Sequence, residues 1–377
     1  MVFIFWSSLA FLLYTFILYP LLLCLVSIFR TRLPQRAAIC PSVSVIVAVH
    51  NEAAVIREKI NNCLDLDYPV NKREIIVASD GSTDGTADIV RSFADRGVKL
   101  VELLEKRGKH FAQMMARDVS TGEILVFTDA SIHVEPSGLR RIVSNFADPM
   151  VGCVSSEDRS VTEGKSWKSE RFYVRAEMWL RRLESKIGSL VSASGSLFAV
   201  RRELCEDWHA GQSSDFFLVL HTVARGLRSV VDPECLARVG LVRSERAELQ
   251  RKIRTIVHGL DVFFTHLEFA NPIRYGLFSW QLISHKLFRW LVPFPILLLL
   301  VSNLWLWKAG VFYQVSLALQ AGLYLCGGLA LVSGGRLNLK PLKLAGFFLL
   351  GNLAIIIAWL KFGAKEKYAS WEPSRRS

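Results

Sequence analysis

Residues 43–52 read VSVIVAVHNE, and the rest of the chain is best understood outward from them. From Val43 to Val49 the residues are almost all apolar and mostly β-branched, without the apolar–polar alternation of a half-exposed strand. Such a run reads as a strand buried on both faces, as in a parallel sheet. His50-Asn51-Glu52 stops it with polar residues. The pattern then repeats: EIIVAS (Glu74–Ser79) closes at Asp80-Gly81-Ser82, Lys99–Leu104 is a further strand, and ILVFT (Ile124–Thr128) closes at Asp129-Ala130-Ser131. Helical stretches fill the gaps, at about Ala54–Leu64, Thr83–Phe93 and His110–Val119. Strands alternating with helices predict an α/β domain on a mostly parallel sheet. Ligands of such sheets bind beyond the carboxyl ends of the strands, so the three polar ends at 50–52, 80–82 and 129–131 are expected to share one crevice.

The flanks are of another kind. Met1–Phe29 carries no charged side chain, and Arg30, Arg32 and Arg36 follow at once. This stretch exceeds the roughly 20 residues that a bilayer helix needs. It lacks the basic start and small-residue cleavage site of a signal peptide, and its basic flank orients it as an anchor with the following domain in the cytosol. Three further spans free of Lys, Arg, Asp and Glu are expected at about Leu291–Trp307, Ala309–Gly334 and Leu344–Leu360.

The expected layout is therefore an anchor (1–29), a cytosolic catalytic domain (38–264), an interfacial segment (265–290), a bundle of three transmembrane helices (291–362) and a basic tail (363–377), set in a bacterial-type inner membrane. The charges resist it at one point. The loop Arg336–Lys343 and the tail with Lys361, Lys365, Lys367, Arg375 and Arg376 both favour the cytosol, yet three spans place the tail outside. Either the final segment is re-entrant or the rule is broken there. Phe172, Ala176, Trp179, Leu183 and Ile187, among Arg171, Arg175, Arg181, Arg182 and Lys186, predict an amphipathic helix, seated on headgroups or on its own domain. Tyr275–Trp290 reads as an aromatic and basic belt.

Composition agrees. Of 377 residues 51% are hydrophobic, and 46 basic against 34 acidic side chains leave a net charge of +12. That balance suits an anionic membrane surface or a phosphorylated substrate. It does not point to nucleic acid, because no zinc-finger spacing or ribonucleoprotein motif accompanies it. Seven scattered cysteines without a CxxC pair read as reduced thiols, and five of the eight histidines (His110, His133, His209, His221, His258) show no metal spacing.

The strand ends suggest chemistry. A carboxylate at the close of an apolar strand, such as Asp129, can reach a hard cation, Mg2+ or Mn2+, that holds a diphosphate. Asp215 follows Ser213-Ser214 and opens the helical run Phe216–Ala224, where it is a candidate base; the plainer reading is an N-cap. Asp80 could equally be only a turn residue, Lys109 part of a solvated charge run, and Glu52 a first-turn helix residue. Arg251, Lys252 and Arg254 form a cluster able to meet diphosphate oxygens.

Seven motifs in order, PSVSVIVAVHNE (41–52), ASDGSTDGT (78–86), RGKH (107–110), FTDAS (127–131), SASGSLFAVRRE (192–203), SSDFF (213–217) and RKIRT (251–255), resemble those of family 2 glycosyltransferases, in particular the membrane-bound, cellulose-synthase-like and ceramide-glucosyltransferase-like branch. The resemblance covers roughly Pro41–Phe264. It implies a GT-A (Rossmann-like) fold and inverting transfer from a UDP- or GDP-sugar to a lipid-linked or glycan acceptor. It further implies that Glu52 and Asp80 contact the nucleoside, that Lys109 lies near the nucleotide, that Asp129 is the first aspartate of a DxD metal motif, and that Asp215 is the general base. Ser194, Gly195 and Ser196 would line the acceptor side, and Arg251 and Arg254 would take the charged places of a [Q/R]xxRW motif. Two positions depart from the pattern. Ser131 stands where the second DxD aspartate belongs, and Thr255 where the tryptophan belongs, which weighs against a processive, polymer-secreting synthase. A catalytically silent scaffold that keeps the fold is the alternative of another class.

Overall fold

A computed structural model describes residues 1–160, 168–209, 211–240, 245–333 and 339–365. Arg336, the tail beyond Lys365 and the side chains of Arg171 and Phe172 lie outside the described residues. In chain order the elements are α1 (Val2–Phe29), β1 (Val43–Val49), α2 (Ile56–Leu64), β2 (Arg73–Asp80), α3 (Thr86–Arg91), β3 (Val98–Leu103), α4 (Lys109–Val119), β4 (Ile124–Asp129) and β5 (Ile132–Val134). Then come α5 (Gly138–Ser144), β6 (Val151–Ser160), α6 (Lys168–Ile187), β7 (Leu197–Arg201), α7 (Ser214–Ala224), β8 (Arg228–Val239) and α8 (Glu245–Thr265). The chain continues as α9 (Leu277–Leu291), α10 (Pro293–Trp305), α11 (Val311–Val332) and α12 (Lys340–Gly363).

The strands form one eight-stranded sheet in the order β3-β2-β1-β4-β7-β6-β8-β5. β3, β2, β1 and β4 run parallel, whereas β7 enters antiparallel beside β4. β1 is buried throughout, and its pleat sends Val43, Val45, Val47 and Val49 into one core layer and Ile46 and Ala48 into the other. Helices cover both faces, which is why β1 shows no polar alternation. The chain leaves β1 for β2 and β3 on one side and later returns to β4 on the other. That switch point gathers the strand ends. The helix expected at Thr83–Phe93 is shorter, Thr86–Arg91, because Gly81 and Gly85 adopt φ of +61° and +84° and hold residues 81–85 in a turn.

Glu74 fastens the opposite end of the sheet. Its carboxylate accepts from Lys99 Nζ (2.7 Å), from Thr121 N–H (2.5 Å) and from the Ser44 hydroxyl. Burial alone would raise its pKa, but these hydrogen bonds outweigh burial and hold the carboxyl at about 2. A depressed carboxyl pKa contributes stability above the unfolded value of about 4.3, and that contribution is lost as the pH falls from about 4.3 towards about 2. Glu74→Gln is therefore expected to lower the thermal midpoint at neutral pH and to flatten its fall across that window. A midpoint that keeps its wild-type acid slope would refute this.

Among the described residues three helices are long and apolar enough to cross a membrane: Val2–Phe29, Val311–Val332 and Pro341–Gly363. The segment expected to span from Leu291 to Trp307 is the 13-residue α10, roughly 20 Å long at 1.5 Å per residue. It continues from α9 across a 52° bend, so the aromatic belt and the short span form one broken element. Pro293 at the break lacks the N–H that would carry the helix through. α6 is amphipathic as expected, but its apolar residues divide. Leu180 and Ile187 are buried on Tyr19 and Leu23 of α1, whereas Trp179 is exposed.

A buried polar cluster ties these helices together. Tyr19 of α1 donates its hydroxyl to Glu184 of α6 (2.6 Å), which also meets Nδ1 of His285 of α9 (2.6 Å). The other nitrogen of His285 lies 3.0 Å from Glu177 of α6, and Glu177 accepts from Arg289 of α9 (2.7 Å).

Candidate functional site

The ends of β1 and β2 are laced together. His50 Nδ1 lies 2.6 Å from the Asp80 carbonyl, and Asn51, at φ +53°, accepts from Thr83 N–H (2.8 Å) while its own N–H donates to the Ser82 hydroxyl (3.1 Å). Asparagine tolerates that left-handed backbone better than most residues. Glu52 is half-buried, and its N–H donates to the Thr86 hydroxyl (2.9 Å).

Asp80 is fully buried. Its two carboxylate oxygens accept from the backbone N–H groups of Arg107 (2.6 Å) and Gly108 (2.8 Å). Residues 105–106 also cross directly over Gly81, where a Cβ would come within 2.6 Å of the Lys106 nitrogen. The Asp80-Gly81 turn thus seats the loop that delivers Lys109 to the first turn of α4. Geometrically, Asp80 positions a loop.

Lys109 is the hub. Its Nζ lies 2.5 Å from Asp129 Oδ1 and 3.4 Å from the Gly195 carbonyl. Asp129 ends β4, and its N–H donates to the Ser196 carbonyl (3.3 Å) as β7 comes alongside. Both side chains keep solvent access, at 15% for Lys109 and 22% for Asp129. Gly195 in turn faces Asp215: a Cβ there would sit 3.2 Å from Asp215 Oδ2, so only glycine leaves that carboxylate its full approach. Ser213 occupies the N-cap position of α7, and Asp215 lies inside the first turn with its Oδ1 accepting the Ser213 hydroxyl. The N-cap reading of Asp215 is therefore not what the chain shows. Ser194 and Ser196 lie on the same strand entry, both bonded to Asp158 (2.6 and 3.4 Å), a carboxylate that carries no motif signal.

Two histidines missed by spacing arguments close the far side. His110 of α4 and His258 of α8 meet edge to face at 5.8 Å, and Ser214 N–H donates to His110 Nδ1 (3.3 Å). Burial, then His258 and Lys109, pushes the His110 pKa down despite Asp215. Burial, then Arg254, does the same to His258. Both shifts favour the neutral ring beside Asp215. The charge of Arg254 therefore bears on this site, whereas Arg251 is gripped one turn back by Glu248 (2.7 and 2.8 Å). Thr255 is exposed.

Among the described residues no three His, Cys, Asp or Glu side chains converge on a point that could hold a metal ion. Asp129 is the one carboxylate at the end of β4, with half-buried Ser131 beyond it. Mg2+ is commonly held by one or two carboxylates together with substrate phosphates, so this donor set fits a divalent cation that arrives with a diphosphate.

Residues 44–208 match the family described as Glycosyl transferase family 2. The chain is 31% identical over 169 residues to the glycosyltransferase AglE of Haloferax volcanii, covering 44% of this chain and 55% of that protein. It is 28% identical over 185 residues to the beta-monoglucosyldiacylglycerol synthase of a Nostoc species, covering 46% and 39%. It thus spans roughly half or less of the length of these curated relatives. The solved mannosyltransferase PcManGT from Pyrobaculum calidifontis, in complex with GDP-Man and Mn2+, superposes over 96% of this chain and 99% of its own, with a TM-score of 0.76 and 25% identity. The fold is GT-A-like, as the motif resemblance implied.

Proposed function

From a chain that carries a family 2 glycosyl transferase domain over residues 44–208, we propose a membrane-bound, inverting transferase that moves a sugar from a nucleotide-diphosphate donor to a lipid-linked or glycan acceptor on the cytosolic face of an inner membrane. The observation that carries the reading is the contact series Asp129–Lys109–Gly195–Asp215, which sets a cation and a carboxylate on the two sides of one glycine. In this reading Asp215 accepts the acceptor hydroxyl proton while the new bond forms between that oxygen and the anomeric carbon. The bond from the anomeric carbon to the diphosphate oxygen breaks, and the nucleoside diphosphate leaves with the electron pair.

Lys109 exchanges Asp129 for the diphosphate, and Arg254, with Arg251 behind it, adds positive charge as the leaving group develops. Asp129 would hold Mg2+ or Mn2+, which when bound neutralises charge on the departing diphosphate. Glu52 faces the nucleoside, Asp80 keeps the loop before Lys109 in place, and Ser194 and Ser196 border the acceptor.

The test is a panel of GDP- and UDP-sugars, beginning with GDP-mannose because PcManGT is bound to it, each with Mg2+, Mn2+ or a chelator. One donor is expected to raise the thermal midpoint only with metal, as ligation of the native state requires, by an amount equivalent to about 2.7 kcal/mol at a hundredfold excess over Kd. The same donor should be turned over, and chelation should abolish the turnover. No metal-dependent stabilisation and no turnover with any donor would sink the reading in favour of a silent scaffold.

A further inference from the structure

α12 is apolar, 24 residues long, and passes every compositional criterion for a membrane span. Its contacts place it elsewhere. Near its start it crosses α11 at close range: a Cβ on Gly327 would overlap Leu349, and one on Gly346 would lie 2.9 Å from Ala330. Near its end Trp359 donates its indole N–H to the Trp290 carbonyl (2.8 Å) and packs against Phe294 in the first turn of α10.

α10 and α11 are antiparallel neighbours, since Gln320 donates to the Ile296 carbonyl (2.9 Å) and Gln314 to that of Trp307 (3.0 Å). The start of α10 and the last turns of α11 therefore belong to the same end of the bundle. α12 touches that one end with both of its own halves.

Between those points it lies along α8. Lys252 sits over the Phe347 ring (4.5 Å), Ile253 and Val257 cluster with Ala354 and Ala358, and Phe264 packs against Trp359 (5.8 Å) and Phe362 (5.4 Å). The two helices run in the same direction from 252 to 264 and from 347 to 362. α8 carries Arg251, Lys252 and Arg254, with Arg246 and Asp261 exposed, and no such helix crosses hydrocarbon. A helix alongside it for this length does not cross either.

We propose that α12 lies flat in the headgroup layer on the side of the catalytic domain, as a lipid-facing shelf beneath α8. Exposed Leu353 and Leu360, seven residues apart on one face, meet acyl chains, and Lys343, Lys361 and Lys365 meet anionic headgroups near its two ends. Both the loop before α12 and the tail after it then lie on one side, which satisfies the charge rule that two opposed sides would break. The inference rests on α1, α10 and α11 crossing the membrane.

Single cysteines test it. Leu339→Cys, Ala364→Cys and Lys308→Cys, all at exposed positions, are placed in a background where half-buried Cys24, Cys40 and Cys326 are alanine. Each is labelled with an impermeant maleimide in sealed right-side-out and inverted vesicles, with detergent-opened vesicles as the reactivity standard. The Leu339 and Ala364 variants are expected to label from the same side and the Lys308 variant from the other. Labelling of the Leu339 and Ala364 variants from opposite sides would overturn the proposal. All three labelling from one side would instead remove its premise that the bundle crosses.

Discussion

Asp215→Asn is expected to lower kcat by roughly 10²–10⁴, the range for loss of a positioned general base. It should leave the thermal midpoint nearly unchanged. The amide has the same shape, the N-cap of α7 is Ser213, and a first-turn carboxylate adds only about 0.3–1 kcal/mol through the helix dipole. Donor affinity should also hold, because the nucleotide contacts are assigned to Glu52, Lys109, Asp129 and the two arginines. The informative quantity is the split: a large fall in transfer with donor stabilisation intact. If Asp215→Asn instead unfolds the protein, or keeps more than a tenth of wild-type turnover, its role is structural and the base must be sought elsewhere.

The second large effect is on stability. Glu177 accepts from Arg289 and lies 3.0 Å from His285 in a site where His285 is 2% exposed. Burial opposes ionisation of Glu177, but His285 and Arg289 outweigh it and hold its carboxyl well below the usual range. Removing one partner of such a group leaves the other charges buried and uncompensated, at a cost of about 3–5 kcal/mol. Glu177→Ala should therefore sharply lower the thermal midpoint in detergent. Pairing it with Arg289→Met should recover part of the loss, since one fewer charge is left stranded, although Arg181 (3.3 Å from Glu177) and His285 stay behind. Additive losses in the double variant would show that the two side chains act independently.

The α/β fold was legible because each central strand is a dense apolar run that stops at polar residues, a pattern set by burial on both faces. Asp129 could be picked out for the same reason. Lys109 and Gly195 were legible only through motif order. Their meeting depends on β7 entering antiparallel beside β4, and no local periodicity encodes that pairing. His110 and His258 were passed over because they sit on separate helices and each is unremarkable alone.

Glu177 and Glu184 did leave a trace. They are seven residues apart on one face of a helix read as seated on headgroups or on its own domain, and on a headgroup-facing helix two acids are costly without partners such as those on α1 and α9. α12 left one too: its composition is that of a span, but the basic loop before it and the basic tail after it both favour the same side.

The Tyr19–Glu184–His285 tie has a mechanical corollary. It clamps α1, α6 and α9 into one post, so in the proposed membrane setting the distance from Asp215 to the hydrocarbon edge is set once, at folding. Under the proposed transfer, this post would act as a fixed-height gauge, favouring acceptors whose reacting hydroxyl stands at that elevation above the acyl chains. Lengthening or shortening the acceptor's headgroup would change its fit even if the sugar it receives stayed the same.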